Sequence, residues 1–282
     1  MVFAAIRLVP VSWASAAGGA IARTMGPLIP RSAIARENLV RAFPEKSERE
    51  REAILRGVWD NLGRTALEYP HLDHLWDWQY GVSKPGESRI DIEGLETFLA
   101  LKSQGKPAII FTAHLANWEL LAVCAARYAL PIAVFFREPN NPYIRRLIAR
   151  LRGEAMGALI PTDFLGALAA QKVLEEGRIL GLLADQHFSR GPVIPFFGRP
   201  AHTSPTLAKL ALRFDCPVHG ARVERLPRGR FRVSISKALP LPQTGTRQER
   251  IAALLTAVNR MIEGWVRERP EQWLWLHRRW RD

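Results

Sequence analysis

From residue 89 onward, short runs of consecutive apolar residues alternate with segments whose apolar positions recur three and four apart. Arg89 to Ile92, Ala108 to Ala113, Pro131 to Phe136, Ala158 to Pro161 and Arg178 to Ala184 are the short runs. Their length and composition predict buried strands. Leu95 to Gln104, Leu120 to Tyr128 and Phe164 to Glu176 carry helical spacing between them, and a basic helix with Arg145, Arg146, Arg150 and Arg152 is expected after Asn141. Serial strand–helix units predict an α/β fold with a mixed, largely parallel sheet flanked by helices. Further on, Pro205 to Phe214 and Arg247 to Arg269 read as helices, while Val218 to Leu226 and Arg230 to Lys237 read as strands about a Pro-Arg-Gly turn. Val193 to Thr203 is expected to be a loop with an exposed apolar tip at Phe196 and Phe197.

The first third has a different texture. Ile34 to Phe43 is amphipathic and stops at Pro44; Ser47 with Glu50 three residues later forms a capping box, opening a helix expected to reach Glu68. Met1 to Arg23 is mostly apolar or small, but Arg7, Pro10 and Gly18-Gly19 interrupt it. A comfortable spanning helix needs ~20 mainly apolar residues. Residues 1–30 are therefore read as a membrane anchor or interfacial segment, with a buried N-terminal helix as the alternative. Residues 31–282 are read as one catalytic domain, since no repeat or low-complexity linker divides them.

Composition narrows the class. Hydrophobic content of 48% with nine Trp excludes a disordered chain. Cys124 and Cys216 are the two thiols, too few for a disulfide framework and not at zinc-binding spacing. His71 and His74, beside Pro70 and Trp76, are assigned structural roles. Forty basic against twenty-seven acidic residues give a net charge of +13, a field that favours anionic partners. The basic residues lie along amphipathic helices without a nucleic-acid recognition motif, so no nucleic-acid partner is expected.

Candidate chemistry gathers at strand ends. The run Ala108 to Ala113 closes in His114-Leu-Ala-Asn117-Trp118-Glu119 before an apolar helix. With His114 in the turn and Glu119 in the first helical turn, capped by Asn117, the carboxylate can hold one ring nitrogen and leave the other to take a proton. The alternative is a core histidine beside an acidic residue favoured at a helix start. Arg137 with Asn140, and Asp185 with Gln186, stand at the ends of two further predicted strands. H-x4-E lacks the two-histidine helical spacing of metalloproteases, and no metal site is predicted.

Taken in order, several motifs resemble the late acyltransferases of lipid A biosynthesis, lauroyl and myristoyl transferases within the glycerol-phosphate and lysophospholipid acyltransferase superfamily. The matching pieces are Glu37-Asn-Leu with Ala42-Phe-Pro44, His114 to Glu119, Phe136-Arg137 with Asn140-Asn141, and Asp185-Gln186. Pro195-Phe-Phe-Gly198 with Pro200-Ala201 and Thr203 follows, then Pro270-Glu-Gln-Trp-Leu-Trp with His277-Arg-Arg279. The resemblance covers Arg36 to the C-terminus, while the N-terminus is less clearly transmembrane than the family pattern.

The resemblance implies transfer of a fatty acyl chain from acyl carrier protein to a hydroxyl of a lipid A precursor, at the cytoplasmic face of the cell inner membrane. It implies His114 as general base and Glu119 as its orienting carboxylate. Arg137, Asn140, Asp185, Gln186 and Asn117 become substrate-binding residues, with no cofactor beyond the acyl donor. Phe196 and Phe197 are placed on the acyl path or at the bilayer, with a core contact as the alternative. The Arg and Trp residues of Trp273 to Arg281 suit the phospholipid surface, again with a core contact as the alternative. Rival readings are a different glycolipid or lysophospholipid acceptor, an acyl-CoA donor, or a non-catalytic lipid-binding module.

Overall fold

A computed structural model describes residues 2–79, 82–83, 87–130, 132–136, 158–161 and 164–281. Its centre is a seven-stranded sheet of β1 (Ile90–Glu93), β2 (Ala108–Thr112), β3 (Ile132–Phe136), β4 (Ala158–Pro161), β5 (Ile179–Leu183), β8 (Val218–Leu226) and β9 (Arg230–Ile235), ordered β1-β9-β8-β2-β5-β3-β4. Only the β8–β9 pair is antiparallel, a hairpin about Pro227-Arg228-Gly229; every other neighbour is parallel. The mixed, largely parallel sheet follows from the sequence: the parallel strands are continuous apolar runs that need cover on both faces.

Register divides those faces. Ile110 pairs with Gly181, and Gly181 with Val134, so these three look the same way. Their face is covered by α6 (Leu95–Gln104) and α7 (Glu119–Arg127), which contribute Phe98, Leu120, Val123 and Cys124 to one core. Ile109, Phe111, Ala133 and Leu180 look the other way, into a larger core shared with α9 (Thr206–Phe214) and α10 (Arg247–Glu268). Between the last sheet-flanking elements lie α8 (Phe164–Glu175) and the two-stranded ribbon of β6 (Val193–Phe196) and β7 (Arg199–His202).

The N-terminal third is helical: α1 (Val2–Arg7), α2 (Val11–Met25), α3 (Ser32–Ala42), α4 (Glu48–Glu68) and the single turn α5 (Leu72–Leu75). Ser47 and Glu50 make the expected capping box at α4, and Thr246 with Glu249 makes a second at α10. Helix α2 lies against α4 at very close range, because a Cβ added to Gly18 would run into the Gly63 carbonyl oxygen and one added to Gly63 into that of Gly18. The same region leaves Leu8, Trp13 (72% exposed), Ile21, Met25 and Leu28 (78% exposed) uncovered. Among the described residues no helix is long and apolar enough to cross a membrane.

Two expectations are corrected. Val193 to Thr203 is not a loop with an exposed tip: Phe197 and Gly198 form a two-residue hairpin turn with φ of 53° and 68°, and Phe196 and Phe197 are 1% and 6% exposed. Both join a buried aromatic cluster, with Phe196 5.8 Å from Trp280 and Phe197 5.4 Å from Phe43. The C-terminal tryptophans complete that cluster rather than facing a membrane, since Trp273, Trp275 and Trp280 are all buried. Arg279 is fully buried beside them, donating to the His202 carbonyl (2.7 Å) and to Thr203 Oγ1 (2.9 Å). Apolar burial outweighs the interfacial preference of the rings because six large aromatics can share one enclosed site.

Phe196→Ala should cost ~3–5 kcal/mol in urea unfolding, as expected of a buried phenylalanine. A loss under ~0.5 kcal/mol would return Phe196 to the surface.

Candidate active site

Strands β2 and β5 are parallel neighbours with Thr112 opposite Leu183. Two residues beyond each lie His114 and Asp185, so the register alone brings them together at the carboxyl edge of the sheet. Asp185 accepts three hydrogen bonds: the His114 backbone N–H at 2.8 Å and Trp273 Nε1–H at 2.7 Å on Oδ2, and His114 Nδ1–H at 2.9 Å on Oδ1. An ionised carboxylate only accepts, so Nδ1 carries the proton and, in the neutral ring, Nε2 is the acceptor. Gln186 Nε2 lies 3.4 Å from that nitrogen, and the Trp118 ring stands edge-on to the imidazole at 5.1 Å.

The electrostatics agree with this geometry. Burial alone would raise the Asp185 carboxyl, but the His114 charge and the three donors bring it down to about 2. Burial alone would lower the His114 imidazole; the Asp185 charge and hydrogen bond, with the Glu119 charge behind them, outweigh it and hold the pKa above the ordinary histidine value. Nearby His277 is pushed down to about 4, chiefly by burial, and stays neutral to accept the His187 backbone N–H at 3.1 Å.

The carboxylate on Nδ1 is Asp185; the sequence reading sets Glu119 on one ring nitrogen without distinguishing the two. Glu119 is the first residue of α7, 8% exposed, and lines the same cavity as His114. Asn117 neither caps α7, whose N-cap is Trp118, nor lines the cavity. It is fully buried and donates to Glu68 Oε2 at 2.9 Å. Gln186 is exposed beside His114, and Arg137 and Asn140 lie outside the described residues. Among the described residues no group of His, Cys, Asp or Glu could hold a metal ion.

Sequence reasoning missed two supports. One is the segment Pro270 to Trp275, which pairs with the histidine turn: Leu274 N–H donates to the His114 carbonyl (3.1 Å) and Ala116 N–H to that of Gln272 (2.9 Å). The other is a buried ionic network in which Arg225 holds Glu68 through Nη1 and Nη2. Ser15 also binds Glu68 (2.7 Å), while Asn61 and Thr65 donate to the carbonyl of Ala116, whose φ is 48°. The signal available was the helical spacing of Glu68 from Leu55, Val58, Asn61 and Thr65, which sets an acid on the buried side of the helix, where it requires a partner.

A cavity of about 300 Å³ runs from His114 between the sheet and α6–α7. Ile110, Val134, Gly181 and Val233 floor it, Leu121 and Ala125 roof it, and its polar lining includes Thr112, His114 and Glu119 together with Glu93 and Ser234. It is at the small end of the range for ligand pockets and largely apolar.

A buried carboxylate–histidine pair at the carboxyl edge of a mostly parallel sheet, opening on an apolar cavity, is an arrangement that can move a proton beside an apolar ligand. The chain belongs to the bacterial lipid A biosynthesis acyltransferases, whose family model matches residues 1–282. It is 26% identical to the lipid A biosynthesis palmitoleoyltransferase of Escherichia coli K12 over 275 residues, covering 93% of this chain and 82% of that one. A lipid A biosynthesis acyltransferase of Haemophilus influenzae is 26% identical over 257 residues, covering 89% and 78%. Among solved structures, the 1-acyl-sn-glycerophosphate acyltransferase of Thermotoga maritima aligns with a TM-score of 0.42 at 13% identity, covering 92% of this chain and 96% of that one.

Asp185→Asn should drop the His114 pKa, read by NMR of the imidazole, because the charge that favours the imidazolium is removed while burial remains. An unchanged titration would assign the shift to another group. The linkage has a sign on each side. Asp185, depressed in the fold, stabilises above its unfolded value of ~3.9 and loses that contribution as pH falls toward about 2. His114, raised, stabilises below its unfolded value of ~6.5 and loses its contribution as pH rises through its folded pKa. The stability gap between wild type and Asp185→Asn should therefore be widest between about pH 4 and 6.5.

Proposed function

We propose that this acyltransferase moves a fatty acyl group from acyl carrier protein to a hydroxyl of a lipid A precursor, with His114 as general base. The observation that carries the reading is a histidine whose Nδ1 is fixed by Asp185 and whose Nε2 faces the exposed Gln186 amide, at the mouth of an apolar cavity. His114 Nε2 takes the proton of the acceptor hydroxyl as its oxygen bonds to the thioester carbonyl carbon. The resulting oxyanion collapses, the carbon–sulfur bond breaks, and the departing thiolate takes the proton back from the imidazolium. An ester and a free carrier thiol result. Asp185 stabilises the transient imidazolium and fixes its tautomer; Glu119 adds negative charge at the same mouth. Gln186 holds Nε2 until a hydroxyl replaces its amide.

The cavity suits the acyl chain, since each buried methylene contributes ~0.8 kcal/mol. Basic surface suits an acidic carrier protein. The exposed apolar side chains of residues 8–29 suit docking at the phospholipid surface of the inner membrane, on its cytoplasmic face where carrier protein is found. Arg137 and Asn140 are assigned to the acceptor headgroup.

Transfer from lauroyl, myristoyl and palmitoleoyl carrier-protein thioesters to a tetra-acylated lipid A precursor, read by product mass, tests the reaction. Wild type should add one acyl group and His114→Ala should fall by ~10²–10⁴-fold. Equal product from both would remove His114 from its role, and lipid binding without transfer from any donor would favour a binding module. On the acid side, wild-type kcat/KM should rise with pH through the raised His114 pKa, and Asp185→Asn should move that limb to lower pH.

Gly181 supplies a further check. A Cβ there would lie 2.7 Å from Val134 Cγ1 and 3.1 Å from Ile132 Cδ1, on the cavity floor. Gly181→Ala should shift the product toward shorter acyl groups, about four-fold for each methylene displaced. An unchanged product distribution would take the acyl chain elsewhere.

A further inference from the structure

A second cavity, of about 600 Å³, opens between α2, the end of α4 and the β8–β9 turn. Five guanidinium groups line it: Arg64, Arg89, Arg225, Arg228 and Arg269. Three are matched, Arg64 by Asp60, Arg225 by Glu68 and Arg269 by Glu224. Arg89 and Arg228 have no carboxylate partner among the described residues, and Glu271 is the one lining acid without a cation. An excess of unpaired guanidinium in a concavity attracts an anion, and two planar forks match the oxygens of a phosphate monoester.

Arg228 is placed there against local preference. It sits at φ 62°, ψ 31° in the hairpin turn, where a side chain costs ~1–2 kcal/mol and glycine or asparagine would relax. Strain of this kind accumulates where a side chain is needed in a particular place. The cavity's wall is Val11 and Ser12 of α2, flanked in sequence by the exposed apolar Leu8, Val9 and Trp13. Its floor is Glu68, the carboxylate that also holds Asn117 of the histidine turn. The mouth therefore borders an apolar surface suited to a lipid interface, and the floor is one hydrogen bond from the catalytic turn.

We infer that this cavity binds a phosphate monoester on a membrane lipid, the phosphorylated headgroup of the acyl acceptor, with Arg89 and Arg228 as its free cations. The inference rests on the proposed reaction for the identity of the lipid, while the phosphate chemistry stands on the cavity alone.

The test compares wild type with Arg89→Gln/Arg228→Gly; the glycine relaxes the turn, so loss of folding is not expected at that position. In transfer assays the double variant should raise KM for a phosphorylated acceptor by ~10-fold, with kcat and the KM for acyl carrier protein within two-fold. On an acceptor stripped of phosphate the two proteins should behave alike. Equal KM on the phosphorylated acceptor, or an equal loss on both acceptors, would overturn the site. Binding is read separately, with phosphatidylcholine vesicles carrying phosphatidic acid or phosphatidylglycerol at matched surface charge. Wild type should prefer the monoester phosphatidic acid and the variant should lose that preference; a preference kept by the variant overturns the site. Loss of vesicle preference with no transfer by wild type would keep the phosphate site and sink the reaction. Stabilisation of wild type alone by inorganic phosphate, without either lipid effect, would overturn the lipid assignment.

Discussion

Everything at the sheet edge depends on one carboxylate with three donors. Asp185 ties its own strand end to the backbone and ring of His114 and, through the Trp273 indole, to the last segment of the chain. A buried carboxylate is tolerated only when its charge is met by donors, and here the donors come from separate parts of the sequence. The site is therefore assembled only when the C-terminus has folded back over the histidine turn. That return crossing also buries Trp275 and Trp280 with Phe43, Phe196 and Phe197, so local chemistry and global closure share the same residues.

The second constraint is the Glu68–Arg225 pair. A buried ion pair adds little net stability over apolar packing, but removing one partner is strongly destabilising because it strands the other charge. Its value here is positional. Glu68 reaches Ser15 of α2 and Asn117 of the histidine turn, and Gln272 clasps the Arg225 backbone from the other side. The N-terminal helices, the sheet and the histidine turn thus meet at one acid.

Much of the fold was legible because it was periodic. The buried strands end within a residue or two of the apolar runs, and the capping box at Ser47 was readable from two side chains. His114 and Asp185 were each singled out, but their pairing was not, because it depends on β5 inserting between β2 and β3, so that these consecutive strands are not neighbours. No local pattern encodes strand order. The same limit explains Phe196, Phe197 and the C-terminal tryptophans. Aromatic residues next to Arg fit either a membrane surface or a core, and only the long-range return of the chain decides between them. Asn117 illustrates the reverse case: a residue type suited to capping was drawn into a buried network by a glutamate 49 positions earlier.

The contact between Gly18 and Gly63 has a consequence for how this chain tolerates change. Each glycine leaves room for the other's carbonyl oxygen, so a side chain at either position pushes the same two backbones apart. Once one substitution has separated the helices, the obstruction that the second would have met is gone. The two positions are thus non-additive, and the second change should be far milder in the background of the first than in the native chain. Such a seam is hard to leave one step at a time and, once left, hard to regain, since restoring one glycine recovers nothing while the other is occupied.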